Sequence, residues 1–436
     1  ALGNSALGSN TTASNNTAVG KLALFANTTG TQNVAVGANA LDANTTAGNL
    51  TAVGYNALSA NTTGTENTAI GRQALLTNST GNYNVAVGVN ALYQSTASNN
   101  TACGNSALAA NTTGTNNVAV GFNALDSNTT ANNNVAVGKD ALGANTTGGS
   151  NTAIGFAALD VNTTADNNTA VGKNALGANT TGTQNVSIGA LALGANTTGS
   201  YSVAVGYNAL TASTGEYNTA VGRGALQANT TAGHNTAVGN AALLNNTTGT
   251  QNVAVGRAAL EANTTADNNT SVGYYALLAN TTGTENTAAG SQALKANTTA
   301  SNNTAFGYAP LFANTTGANN TALGHSALQS NTTASNNTAV GALALVTNTT
   351  GANNCAFGAG ALDANTTASD NAAFGRDALG ANTTGTSNAA FGAYALDASS
   401  TVSFCTAVGY GALSASNASG NTAVGYLAAA NITTGT

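Results

Sequence analysis

The sequence contains very little charge and lacks several residue types. Asp, Glu, Lys and Arg make up 5% of its 436 residues, and it has one proline, no methionine and no tryptophan. An ordinary globular protein has about 25% charged residues. The net charge of −6 excludes the basic stripe that a nucleic-acid-binding surface requires. No apolar run approaches the roughly 18–20 residues needed to cross a bilayer, so we expect neither a nucleic-acid partner nor a membrane span.

Glycine carries the strongest pattern in the sequence. From Gly3 to Gly425, 26 glycines recur with a spacing of 17 in 22 of 25 intervals and of 16 in the other three. A fixed period over the whole length indicates one small unit stacked many times, in which each copy buries its apolar face only against its neighbours. We therefore predict one continuous repeat domain over residues 1–436. It begins and ends inside a repeat, so we expect it to be uncapped at both ends.

Each repeat is predicted to form one rung of a β-solenoid. In Thr17–Asn33, numbered here as positions 1 to 17 (TAVGKLALFANTTGTQN), positions 1–3 alternate as a strand does and Gly at position 4 allows a bend. We expect a second short extended segment to carry Ala-Leu at positions 7 and 8, with leucine facing inward. Asn-Thr-Thr at positions 11–13 is typical of a turn. A glycine and this turn in every repeat leave no room for a stable helix, so the fold class is all-β, a parallel β-solenoid of about 25 rungs.

The positions of the charged residues predict which side chains face inward. All charges fall at positions 5, 6, 9, 15 and 16, and none at positions 1–4, 7, 8, 11–13 or 17. We therefore expect positions 1 and 3 to lie in the core. Cys103 at position 3 and Cys355 at position 1 are then small core residues. Four phenylalanines at position 3 predict a locally wider core: Phe306, Phe357, Phe374 and Phe391.

A second period, twice as long, overlies the first. Position 14 alternates between alanine and glycine, as in Ala13, Gly30, Ala47 and Gly64. This pattern fits duplication of a two-rung module, and it also fits a coil in which one turn takes two repeats. The sequence leaves both interpretations open.

Residues that could carry chemistry are scarce. His234 and His325 occupy variable surface positions more than five repeats apart, and three cysteines do not form a disulfide framework. Cys405 replaces asparagine at position 17, where a special role is an alternative to simple packing. We predict no catalytic residue, no metal site, no cofactor and no enzymatic activity.

Two polar or aromatic features could instead form surfaces. Asn-Thr-Thr is an N-glycosylation sequon at Asn27, Asn44, Asn61 and in most other repeats, but sugars on every rung would crowd the stack. We expect unglycosylated asparagine ladders whose amides bond from rung to rung. Tyrosines at positions 5 and 6 lie on the variable edge, where they either pack locally or contact a receptor or glycan. They include Tyr55, Tyr207, Tyr274, Tyr275 and Tyr410.

The core A-V/I-G-x-x-A-L, present as Ala69-Ile70-Gly71-Arg72-Gln73-Ala74-Leu75, resembles the head repeats of trimeric autotransporter adhesins. It also resembles the repeat shafts of phage tail fibres and bacterial surface fibre proteins. The resemblance covers the whole chain. It implies a left-handed parallel β-roll, three copies of which pack into a trimer that projects from a surface.

These observations predict a structural role. We expect the shaft of an extracellular fibre or filament of adhesin or tail-fibre type, on a cell or virion surface, whose partner is itself as a homotrimer or an end-to-end filament. The alternative is a binding solenoid. Thr-Gly-Thr recurs mostly on alternate repeats, at Thr29–Thr31, Thr63–Thr65, Thr113–Thr115 and Thr248–Thr250, and would align on one face for ice binding only if one turn takes two repeats. The other binding alternative uses the variable tyrosine and charged edge.

Overall fold

The computed structural model describes residues 1–432, which form short strands joined by turns, without a helix in that range. No helix within these residues is long and apolar enough to cross a membrane. The chain divides into two compact units, Ala1–Tyr217 and Asn218–Thr436, which we call unit 1 and unit 2. The predicted end of the chain inside a repeat, at residues 433–436, lies outside the described residues.

Every strand is three residues long and occupies positions 1 to 3 of its repeat. Unit 1 contains β1–β12, which are Thr17–Val19, Val34–Val36, Thr51–Val53, Thr68–Ile70, Val85–Val87, Thr101–Cys103, Val118–Val120, Val135–Val137, Thr152–Ile154, Thr169–Val171, Val186–Ile188 and Val203–Val205. Unit 2 contains β13–β25, which are Thr219–Val221, Thr236–Val238, Val253–Val255, Thr270–Val272, Thr287–Ala289, Thr304–Phe306, Thr321–Leu323, Thr338–Val340, Cys355–Phe357, Ala372–Phe374, Ala389–Phe391, Thr406–Val408 and Thr422–Val424.

Within each unit, consecutive strands pair in parallel with a shift of one repeat. Thr17 in β1 lies opposite Val34 in β2, and Thr236 in β14 lies opposite Val253 in β15. One repeat is therefore one coil of the solenoid. This register confirms the all-β parallel β-solenoid in which one repeat makes one rung. It also shows that the coil of two repeats per turn is wrong.

The interior of each coil is narrow and is lined mainly by alanine and leucine. Ala18 at position 2, Ala23 at position 7 and Leu24 at position 8 are buried, and their equivalents are buried in almost every coil. The predicted inward leucine is confirmed, but the predicted second extended segment is wrong. Positions 5 to 10 form a turn, in which Leu24 has a left-handed φ of 53°. Burying a leucine contributes about 1.5–3 kcal/mol, which offsets the roughly 1–2 kcal/mol cost of that backbone conformation.

The strands turn alanine inward and their larger residues outward. Ala153 in β9 is buried, whereas Ile154 at position 3 is 40% exposed. The prediction that positions 1 and 3 lie in the core is therefore wrong. Cys103 is exposed and Cys355 is half-buried, so neither is a core residue. Nor do the phenylalanines widen the core, because Phe306, Phe357 and Phe391 are exposed and Phe374 is half-buried.

Glycine at position 4 is required by both conformation and space. Gly256 has a φ of +133°, which L residues rarely adopt, and a Cβ there would lie 2.5 Å from the carbonyl oxygen of Gly273 in the next coil. The neighbouring atom belongs to the backbone, so it cannot move without shifting the next coil. Each coil therefore needs a glycine at position 4, where its backbone lies against the backbone of the next coil.

Candidate functional site

Two asparagine ladders run through the interior of the coils. At position 11, the amide nitrogen of Asn179 donates to Oδ1 of Asn162 in the preceding coil and to the carbonyl of Gly182 in its own turn, each at 2.9 Å. Oδ1 of Asn179 in turn accepts a hydrogen bond from Asn196 at 3.1 Å. Asn179 is fully buried. The predicted rung-to-rung asparagine ladder is confirmed.

The second ladder is at position 17. Oδ1 of Asn134 accepts the backbone N–H of Asn151 at 2.8 Å, and the side chain of Asn151 donates to the carbonyl of Ala165 at 2.8 Å. Both side chains are buried. Because these amides bond to backbone groups of the next coil, they connect the coils outside the strands, where residues 1–432 form turns. Cys405 interrupts this ladder, and its buried Sγ lies 3.6 Å from the carbonyls of Ser403 and Ala418.

The position-11 sequons are occluded in the folded chain. Asn27, Asn44 and Asn61 are fully buried, and their amide nitrogens donate both between coils and within their own turns. A sugar on this nitrogen would remove at least one of those bonds and would have no room. The structure thus supplies the physical reason to expect unmodified ladders.

Side chains at position 15 form further hydrogen bonds between successive coils. Oδ1 of Asn82 accepts the backbone N–H of Thr65 in the preceding coil at 2.7 Å, and Asp267 accepts that of Thr250 at 2.6 Å. In other coils a serine hydroxyl accepts the bond, as Ser98 does from Asn82 and Ser301 does from Thr284. In most of these contacts one coil supplies the side-chain acceptor and the preceding coil supplies the N–H, but Asn82 does both, since its own N–H donates to the hydroxyl of Ser98 at 2.9 Å.

The threonines do not form the lattice that the ice-binding alternative needed. Since one coil takes one repeat, successive Thr-Gly-Thr segments lie two or more coils apart and at irregular spacing. The hydroxyl of Thr28 at position 12 is also used internally, donating to the carbonyl of Thr45 in the next coil at 3.1 Å. The position-13 threonines, such as Thr29, remain exposed along the turn.

The variable edge at positions 5, 6 and 9 carries stacked aromatic and cationic side chains. Nζ of Lys139 lies 5.9 Å from the ring centroid of Phe122 and 5.4 Å from that of Phe156, its neighbours in the adjacent coils. Such cation–π contacts contribute about 0.5–1 kcal/mol at exposed sites. The predicted edge tyrosines Tyr55, Tyr207, Tyr274 and Tyr410 are exposed, and Tyr275 is half-buried.

The two histidines lie at different positions of the repeat and in different coils. His325 at position 5 stacks on Tyr308 with centroids 5.4 Å apart, and His234 is exposed at position 16 of a different coil. The structure brings neither of them into a cluster. Among residues 1–432, no group of three or more His, Cys, Asp or Glu side chains could hold a metal ion.

Three aspartate side chains lie close to Gly380, a glycine at position 9. Asp363, Asp377 and Asp397 line a shallow groove of about 400 Å³ around Gly380. Burial raises the pKa of Asp363 and of Asp397, and repulsion from Asp377 raises the pKa of both further. Asp377 itself is paired with Nε of Arg376 at 3.2 Å. The groove is therefore an acidic patch with one adjacent cation rather than a catalytic arrangement of matched groups.

The largest feature missed by the sequence reasoning is the outer side of the strands. We call the side chains at positions 1 and 3 of β1–β12 and of β13–β25 the strand face of unit 1 and of unit 2. Position 1 is threonine or valine in most strands, and position 3 is valine in most. Position-3 side chains are well exposed, as in Val19 at 37% and Ile188 at 41%. The alternation is visible in the sequence, but it does not say which side of a strand is inward.

Comparisons of this sequence with protein families and with curated proteins found no match. The assignment of a role therefore rests on the geometry of the coils and their surfaces.

Proposed function

We propose that this chain is the shaft of an extracellular fibre, of the adhesin or tail-fibre type, on a cell or virion surface. Its role is to hold another element at a distance, and its partner is another copy of itself. The observation that supports this most is the register: in each unit, every added repeat adds one coil in the same register as the last. Length then scales with repeat number, which is the property a spacer needs.

The bonding inside the coils suits this role. Parallel backbone pairing, two asparagine ladders and the threonine hydroxyls all connect successive coils, and the asparagine ladders are buried. Pulling two coils apart would break all of these bonds together. No observation favours ice binding, and the edge tyrosines fit local stacking at least as well as receptor contact.

Deleting whole coils tests the spacer role. Removing residues 118–151 takes out two full repeats and joins position 17 to position 1. We expect the variant to fold and its particles, measured by electron microscopy, to shorten by about 9.6 Å, since parallel strands are about 4.8 Å apart. Removing residues 118–142 instead breaks the register and serves as the control that should not fold. A folded two-coil deletion with unchanged length, or a catalytic turnover dependent on these repeats, would overturn the proposal.

A further inference from the structure

The strand face of each unit has the composition of a covered surface. Its side chains are threonine, cysteine and aliphatic or aromatic residues, and none of the 25 strands carries a charged residue at position 1 or 3. The chain has 8 basic and 14 acidic residues, and every one lies at another position. Many of its apolar side chains are exposed in the single chain, as Ile188 is, and the centre of an interface is likewise apolar and poor in charge.

The sizes of neighbouring residues on this face are correlated. Position 1 is neither threonine nor valine in only three of the described strands, β21–β23, where it is Cys355, Ala372 and Ala389. The same three strands carry the stacked rings of Phe357, Phe374 and Phe391, with centroids 5.1 and 4.9 Å apart. Water accommodates any size, but a packed contact does not. In these three strands a large residue at position 3 is thus accompanied by a small one at position 1, whereas β18 pairs Phe306 with Thr304.

The same compensation appears along the face. Phe306 follows Ala289, the only alanine at position 3 among β1–β25. Phe306 itself is 41% exposed. The chain therefore keeps the thickness of the strand face within limits although the face is exposed in the single chain.

We propose that the strand face packs laterally against the strand face of a second copy of this chain. The period of the face selects the partner. Side chains repeat at about 4.8 Å over twelve strands of unit 1, and only a surface with the same rise stays in register over that length. A second copy has that rise. Like surfaces meeting about a symmetry axis are also the usual arrangement in homo-oligomers.

The area is sufficient for a stable contact. A three-residue strand is about 10 Å long, so twelve strands about 4.8 Å apart present roughly 570 Å². Two such faces would bury about 1,150 Å² in total from unit 1 alone, above the about 1,000 Å² expected of a specific interface. Lateral packing rests on the proposed function and deepens it, because it is what would build a shaft of several chains.

Charge on the strand face provides the first test. The triple variant Val137→Glu, Ile154→Glu and Val171→Glu places carboxylates on three adjacent strands of unit 1. The matched control is Thr147→Glu, Thr164→Glu and Thr181→Glu, which adds the same charge to exposed turns of the same coils. By sedimentation velocity we expect the wild type and the control to self-associate with similar affinity. The self-association of the strand-face variant should be at least about 100-fold weaker, because its interface would bury unpaired charge.

Cys103 provides a second test that needs no variant. It is exposed at position 3 of β6, within the strand face, whereas Cys405 is buried. Alkylation by iodoacetamide, followed by peptide mass spectrometry, should be fast at Cys103 in dilute protein and slow once the protein associates. Cys405 should react slowly throughout.

Three outcomes would overturn the inference. The first is a wild type that stays monomeric up to about 100 μM. The second is a natively folded strand-face variant that associates like the control. The third is fast alkylation of Cys103 in associated protein, which would point to assembly through another surface instead. Each of these leaves the coil-deletion result intact, so failure here is distinguishable from failure of the spacer role.

Discussion

The position-11 ladder should respond to substitution in a graded way. Replacing Asn179 with alanine removes three hydrogen bonds, to Asn162, Gly182 and Asn196, inside a fully buried site. Each bond contributes about 1 kcal/mol, and leaving Oδ1 of Asn162 and one N–H of Asn196 without partners costs about 1–3 kcal/mol more. We therefore expect Asn179→Ala to lower the free energy of unfolding by about 4–6 kcal/mol.

Serine at the same position should cost less. In Ser95 the chain already uses a hydroxyl at position 11, which accepts the amide of Asn111 at 3.2 Å. Asn179→Ser should thus keep the bond from Asn196 and lose about half as much stability as Asn179→Ala. Thr181→Ala, in the same turn but exposed, is the control and should lie within about 0.5 kcal/mol of the wild type.

The assay is urea unfolding followed by circular dichroism, together with hydrogen-exchange mass spectrometry of peptides spanning residues 162–200. Repeat proteins can open locally, so the exchange data decide whether the loss is confined to neighbouring coils. Equal effects of alanine and serine, or an alanine effect no larger than that of Thr181→Ala, would refute the account of the ladder.

The same geometry makes three further predictions. Ser399→Asn should stabilise the protein by about 1 kcal/mol in urea unfolding, because Oδ1 of Asn382 is buried without a partner where serine interrupts the ladder; destabilisation would contradict this. Gly256→Ala should prevent folding of its coils, whereas Gly420→Ala, with a φ of +80° but open space around it, should cost only about 1–3 kcal/mol; equal losses would show that strain dominates. Burial and repulsion by Asp377 raise the pKa of the Asp397 carboxyl in the folded protein. The ionised carboxylate therefore lowers the free energy of unfolding at neutral pH, and this loss disappears as the pH falls through the folded pKa toward 3.8. Asp397→Asn should therefore be more stable than the wild type at pH 7, with the difference shrinking on acidification, as measured by unfolding midpoints; a difference independent of pH would contradict this.

Several features of the fold could be predicted because one residue type suited them. Only glycine fits the φ of position 4, and an asparagine at the same position of almost every repeat indicates stacked amides, so the repeat length and the asparagine ladder were accessible from sequence. The number of repeats per coil was not, and the strand register decided it. Inward leucine at Leu24 was accessible because leucine recurs at that position in almost every repeat.

Other features could not be predicted, for physical reasons. The alternation in Thr17–Val19 shows that the strand has two faces, but it does not show which face is inward. The interior is narrow enough for alanine to fill it, so the larger valine faces outward. Absence of charge at Val19 favours burial within the chain, but it fits a surface covered by a partner equally well. The left-handed conformation of Leu24 opposes its intrinsic preference, and only the surrounding coils impose it.

The most direct test of a shaft built from laterally packed chains is mass per unit length, measured by scanning transmission or cryo-electron microscopy on the assembled protein. Each coil contributes about 17 residues per rise of about 4.8 Å. Three chains side by side, as in the adhesin and tail-fibre shafts that the repeat resembles, predict about 51 residues per 4.8 Å. A value of about 17 would mean a single column of coils and would contradict the account.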